Sequence, residues 1–226
     1  MKKILIVIVA MAGFAVSCSP YYPWDVEDVG LGATTKVIEC SNGASSRDLD
    51  IVSNVDYTAA IIEGGEWISF ADTDAKTKEC AVDVTKLSFD IAANRVGKRL
   101  GRLLLSHGTR RDTIKIKQTG AYEEHLAFNA VDAAAQLDAS NIAKIQRTPK
   151  DFSFRLETTA LDHEIKMEAI GRNEMIENFK VENHVLTFSV NENFAGQPRI
   201  VDLNFYFING WEERVQISCR IRQSYN

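Results

Sequence analysis

The chain has 226 residues, a formal charge of −5, 45% hydrophobic residues and 25% charged ones. This is the composition of a packed globular chain with room for one large or two small domains, and it excludes disordered and fibrous classes. A moderately acidic balance argues against nucleic acid and anionic lipid headgroups as partners, because both reward positive charge.

The first segment, 1–17, reads as a secretory signal peptide. Lys2 and Lys3 precede an apolar run from Ile4 to Val16, too short to span a bilayer comfortably, and small residues lead into Cys18. The neighbourhood Ala15-Val16-Ser17-Cys18 resembles a bacterial lipobox, with Ala15 where a Leu is more usual. The resemblance implies cleavage before Cys18, lipidation of its sulfur and its new amine, and a lipid-anchored outer-membrane address in the cell envelope. An ordinary signal peptide with an incidental cysteine is the alternative. Loss of the leader removes two lysines, leaving 24 basic against 31 acidic residues and a charge of −7. No second apolar run of about 18 residues follows, so the N-terminal lipid would be the membrane attachment. Residues 18–31 then form the lipidated Cys and a tether, with Ser19-Pro20-Tyr21-Tyr22-Pro23-Trp24 extended.

Beyond the tether, period-two alternation dominates and predicts antiparallel strands with one buried face. It is clearest at Leu87–Ile91, Thr113–Lys117, Val201–Phe207 and Val215–Ile221. Turn signals punctuate it at Ser41-Asn42-Gly43, Glu63-Gly64-Gly65, Ser106-His107-Gly108 and Ile208-Asn209-Gly210. The Asn209-Gly210 pair is a hairpin cue. A weak internal repeat aligns 87–94 with 186–193, Gly97 with Gly196, and Ile116-Lys117-Gln118 with Ile221-Arg222-Gln223. The offset drifts from 99 to 105, which predicts one longer hairpin in the second copy. The fold class expected is therefore all-β: two tandem antiparallel β-sandwiches, at 32–120 and 141–226, each near 90 residues. Between them, 121–140 reads as a linker, as a first strand through Leu126-Ala127-Phe128, or as a short helix capped by Asn129 with Asp132 in its first turn.

Cys18 aside, Cys40, Cys80 and Cys219 remain. A Cys40–Cys80 disulfide and three buried small hydrophobes are the two readings, and alternation places Cys80 with Val82 and Val84, and Cys219 with Val215, Ile217 and Ile221.

Residues 32–120 also resemble the BACON family, immunoglobulin-like modules of exported Bacteroidetes proteins. The resemblance rests on Gly65-Glu66-Trp67-Ile68, Asn94 followed by Gly97-Lys98-Arg99, the closing Gln118-Thr119-Gly120, and Asp50 to Asn54 with Tyr57 upstream. The second unit is a diverged copy, with Met175 at the place of Trp67 and Ser224 after Gln223. The resemblance implies a seven- or eight-stranded immunoglobulin-like sandwich, an inward-facing Trp67, and a presumed role in carbohydrate or mucin binding. Such modules equally act as spacers.

For chemistry, His107, His125, His163 and His184 are scattered, and no metalloprotease, dithiol, nucleophile-elbow or phosphate-loop motif is present. Acidic turns at Asp72-Thr73-Asp74 and Asp25–Asp28 lack a calcium-loop pattern. No catalytic residues, metal or cofactor are expected. Binding is the richer expectation. Alternation puts Asp202, Asn204 and Tyr206 on one outer strand face, and Gln216, Ser218 and Arg220 on its return, with Trp211 at a hairpin tip kept wet by Glu212 and Glu213. Trp211, Tyr206, Asn204, Asp202, Gln216 and Arg220 are the candidate ligand-binding residues: a shallow glycan platform, half of a contact with an envelope protein partner, or a solvated strand face.

Overall fold

The computed structural model describes residues 30–79 and 82–226, with no side chains described from 72 to 83. The leader, the Cys18 lipidation site, the tether and Cys80 lie outside the described residues. The described chain is nearly all β. Its strands are β1 (Leu31–Ala33), β2 (Val37–Cys40), β3 (Ser45–Ser53), β4 (Thr58–Glu63), β5 (Ile68–Glu79), β6 (Val82–Ile91), β7 (Arg99–His107) and β8 (Arg110–Gln118). A second set follows: β9 (Leu126–Phe128), β10 (Ile142–Ile145), β11 (Lys150–Thr158), β12 (Lys166–Gly171), β13 (Ile176–Glu182), β14 (Val185–Val190), β15 (Arg199–Ile208) and β16 (Arg214–Gln223). Each strand that alternation predicts falls inside one of these.

The second set repeats the first strand for strand. Sheets β1-β3-β6-β5 and β2-β8-β7-β4 have the same order as β9-β11-β14-β13 and β10-β16-β15-β12. Even the parallel pairings correspond, β2 with β8 and β10 with β16; the other pairings among the described strands are antiparallel. Each set closes on its own core. In the first, Leu49, Ile51, Phe89 and Ile91 of one sheet meet Leu103, Leu105, Ile114 and Ile116 of the other. In the second, Phe152 stacks on Phe188 and Phe188 on Phe205 of the other sheet, in one core with Phe154, Leu203 and Ile221. Fully burying each such side chain contributes roughly 1.5–3 kcal/mol.

The repeated sequence also builds a repeated polar lock. Arg99 stands opposite Gln118 and Arg199 opposite Gln223. In each, the arginine donates to the glutamine Oε1, and the glutamine Nε2 donates to carbonyls of crossing chain: Gly43 and Ala92 in the first, Arg147 and Asn191 in the second. Asn94 and Asn193 complete it, each donating to two carbonyls and accepting from the amide two residues on. All four amide side chains are buried, so the lock has no water to replace a lost partner. Trp67, as expected, lies in the first core, under the Arg99 guanidinium at 4.2 Å; Met175 takes its place in the second.

Of the three readings of segment 121–140, the strand and the short helix both occur, and the segment is not a plain linker. Leu126 to Phe128 pairs with β11, and helix α1 (Ala130–Gln136) follows, its first turn capped by Asn129 Oδ1 and its Asp132 paired with Arg155. Strand β9 is thus an integral strand of the second pair of sheets. Cys40 and Cys219 are free and buried, which fits their reading as small hydrophobes; the Cys40–Cys80 pairing involves Cys80, outside the described residues.

Candidate functional site

Alternation along β15 turns Val201, Leu203, Phe205 and Phe207 inward, so Asp202, Asn204 and Tyr206 share the outer face. The ladder sets them directly opposite Arg220, Ser218 and Gln216. Five of the six candidate residues, with Ser218, therefore come together as the sequence predicts. Asp202, Asn204, Ser218 and Arg220 line a shallow concavity of about 480 Å³, which Ile170 of edge strand β12 and Ser140–Ile142 wall in. Neither the Ile170 wall nor the 140–142 wall has a sequence signal of its own; both come from neighbouring strands across the sheet.

These groups largely satisfy one another. Arg220 donates twice to Asp202, at 2.5 and 2.8 Å, which holds the aspartate carboxyl below its usual range. Ser218 pairs with Asn204 at 2.7 Å. The Arg214 guanidinium lies 3.7 Å above the Tyr206 ring and donates to Glu168, so the face a sugar would stack on is covered by a cation. Cys219 borders the concavity but points into the core. Burial, with the Asp202 charge, pushes its thiol up to about 12, so it supplies no thiolate at neutral pH. Among the described residues, no group of three or more His, Cys, Asp or Glu is placed to hold a metal ion.

Trp211 is elsewhere, and this corrects the picture of a wet hairpin tip. The tip, Asn209–Glu213, folds over the first set of strands. The Trp211 indole Nε1 donates to the Gln118 carbonyl at 3.0 Å, and its ring lies 4.9 Å from Lys98 Nζ and 5.0 Å from Lys117 Nζ. Glu212 accepts from Arg102 and Lys115, and Glu213 from Lys117. These cations hold both carboxyls below the ordinary glutamate value of 4.5. The tip is not a two-residue Asn-Gly turn either. Asn209 Oδ1 accepts from the amides of Trp211 and Glu213, and Glu212, not Gly210, takes the left-handed conformation. Gly210 serves closeness instead: a Cβ there would run into the Lys98 carbonyl. In the cationic seat that receives the tip, Arg102, Lys115 and Lys117 are outward positions of β7 and β8 and Lys98 immediately precedes β7; the sequence carries no cue that acid would meet them.

No family model matches the chain, and no curated protein does. Solved structures that align include the titin domains Z1Z2 in complex with telethonin (8% identity, 87% of this chain and 93% of that one, TM-score 0.31). An endo-fucoidan hydrolase of glycoside hydrolase family 107 aligns at 11% identity (86% and 28%, TM-score 0.29). A Bacteroides ovatus GH5 xyloglucanase in complex with a heptasaccharide aligns at 16% identity (54% and 27%, TM-score 0.28).

Proposed function

We propose that this is a non-catalytic, lipid-anchored protein of the cell envelope, made of two tandem immunoglobulin-like sandwiches, the first a BACON-type module. In this reading it acts as a rigid spacer and assembly component. The observation that carries this reading is the docked tip: the molecule's most glycan-ready aromatic, Trp211, is spent on joining its two halves. A hydrogen bond, two cation–π contacts and three ion pairs fix one half against the other, as a spacer of set length requires.

Small-angle scattering on the chain from Ser19 onward tests it. A single narrow distance distribution, broadened by Trp211→Ala with both cores intact, is the expected result; an already broad distribution in the parent overturns the spacer. Labelled fatty acid should be incorporated by the full chain and not by Cys18→Ala.

Glycan or mucin binding is the second reading, favoured by the concavity that gathers Asp202, Asn204, Ser218 and Arg220. With Trp211 engaged and Tyr206 covered, the sugar would be held by its hydroxyls rather than by stacking. A glycan screen should then find a ligand lost in Asp202→Ala and retained in Trp211→Ala.

A further inference from the structure

The seat that receives the Trp211 tip has a counterpart in the second half, and that counterpart is open. Register fixes the correspondence. Counting from the Arg–Gln pair that starts each hairpin, Leu100, Arg102, Lys115 and Lys117 match Ile200, Asp202, Arg220 and Arg222. Across the parallel pairing, Glu39 matches Lys144. In the first half the tip lies over this outer face. Leu100, which points outward and is no member of the core, is only 7% exposed there. Its counterpart Ile200 is 47% exposed, with Ile170 at 55% beside it on the same face.

Where Trp211 rests on the first half, against Lys117 and the Gln118 carbonyl, the second half has a groove of about 320 Å³. Lys144, Ile145, Gln146, Pro198, Arg222, Gln223 and Ser224 line it. Arg222 is exposed and has no ion-pair partner among the described residues, while Lys144, 71% exposed, is paired with Asp138 at 3.5 Å across the solvent-facing side. The occupied seat is basic and takes an aromatic ring flanked by carboxylates. The open one offers the same backbone, an apolar ledge and two outward cations.

We propose that this groove is a docking site for a β-hairpin tip of another protein, an aromatic side chain followed by acidic residues. The aromatic ring would lie between Pro198 and Arg222 with its edge at the Gln223 carbonyl, and the acids would meet Arg222 and Lys144. Ile200 would be covered as Leu100 is. The proposal deepens the assembly reading above, because the chain would hand on to a partner the contact it uses internally.

A disulfide-cyclised peptide copying residues 206–216 is the probe, titrated into the full chain in detergent and followed by amide shifts. The expected result is saturable binding with shifts at Ile145, Arg222 and Ser224, weakened at least tenfold by Arg222→Glu and by a Trp→Ala peptide. Shifts at Lys98 and Lys117 instead, insensitive to Arg222→Glu, would mean that the peptide displaces the internal tip, and would overturn the proposal. So would absence of binding at millimolar peptide. Concentration-dependent dimers abolished by Trp211→Ala would assign the groove to a second copy of this chain and overturn the foreign partner. The scattering test of the spacer is independent of these arms, so a rigid molecule that ignores the peptide sinks only the groove.

Discussion

Hairpins β7–β8 and β15–β16 start from the same Arg–Gln pair, its glutamine buried in both, and end differently. The first has nine opposed pairs and a two-residue connection at Gly108-Thr109; the second has ten pairs and a five-residue tip. That difference accounts for most of the drift in the repeat and is the reason the halves touch as they do. The base of each hairpin is a shared network, in which Arg99 and Gln118 both donate to the Ala92 carbonyl and Arg199 and Gln223 both donate to that of Asn191, so change there disturbs several polar groups at once. The far end faces outward, where doubling a loop's length costs only about 0.6 kcal/mol. Three added tip residues and one more pair give the second half its reach onto the first.

A second contrast lies beneath the first. In one core Trp67 faces Gly101; in the other Val201 stands at the register of Gly101, in the same core as Met175. A Cβ on Gly101 would stand 3.0 Å from Trp67 Cζ2 and would collide with the Ile68 side chain. Volume has moved from one side of the contact to the other. The largest predicted effect comes from undoing this: Gly101→Val alone should destabilise by about 1–3 kcal/mol through overpacking. Trp67→Met alone should cost roughly 2–4 kcal/mol through the cavity it leaves and the lost Arg99 contact. The double variant, which rebuilds the second core's solution in the first, should lose at least about 1 kcal/mol less than the sum. Urea denaturation of the three variants reads this, and strict additivity would break the comparison.

The polar lock is where the two halves should behave alike. Gln118→Leu and Gln223→Leu each remove one acceptor of an arginine that keeps another, and one donor from a set of carbonyls of which Ala92 and Asn191 keep the arginine, for an expected loss of about 1–3 kcal/mol apiece. Each loss should appear in the transition of its own half. A variant that lowers the other half's transition equally would show that the two cores unfold as one unit, sharpening the role of the joint.

Much of this was legible. Strand positions and the outer face of β15 and β16 follow from period-two alternation, because an antiparallel strand with one wet side must alternate. The repeat follows from Asn94, Arg99 and Gln118 and their counterparts, because the lock tolerates few other side chains. The destination of Trp211 was not legible. Asn209-Gly210 reads locally as a tight turn, and the contact that overrides it is made by residues about a hundred positions away, Lys98, Arg102, Lys115 and Lys117. Local pattern states which residues face out, not what covers them. The same blindness hid Ile170, which reaches the concavity only through the pairing of β12 with β15.

The joint should be the softest part of the comparison and the one that pH separates. Glu212 and Glu213 are held below the ordinary glutamate value by Arg102, Lys115 and Lys117, and both are exposed in part. A carboxyl whose folded value is depressed contributes fully above its ordinary value and loses that contribution as pH falls through the depressed one. The two halves should therefore stay clamped at neutral pH and loosen on acidification below about 4.5, before either core melts, since the cores are apolar. Added salt should act in the same direction, because exposed pairs are screened over roughly 8–10 Å at 0.1–0.15 M. Trp211 fluorescence, in a Trp24→Phe/Trp67→Phe background that leaves it alone, should shift to the red as its ring leaves Lys98 and Lys117. Glu212→Gln/Glu213→Gln should start in the loosened state and lose the pH response; a shift that persists in that variant would place the switch on other groups.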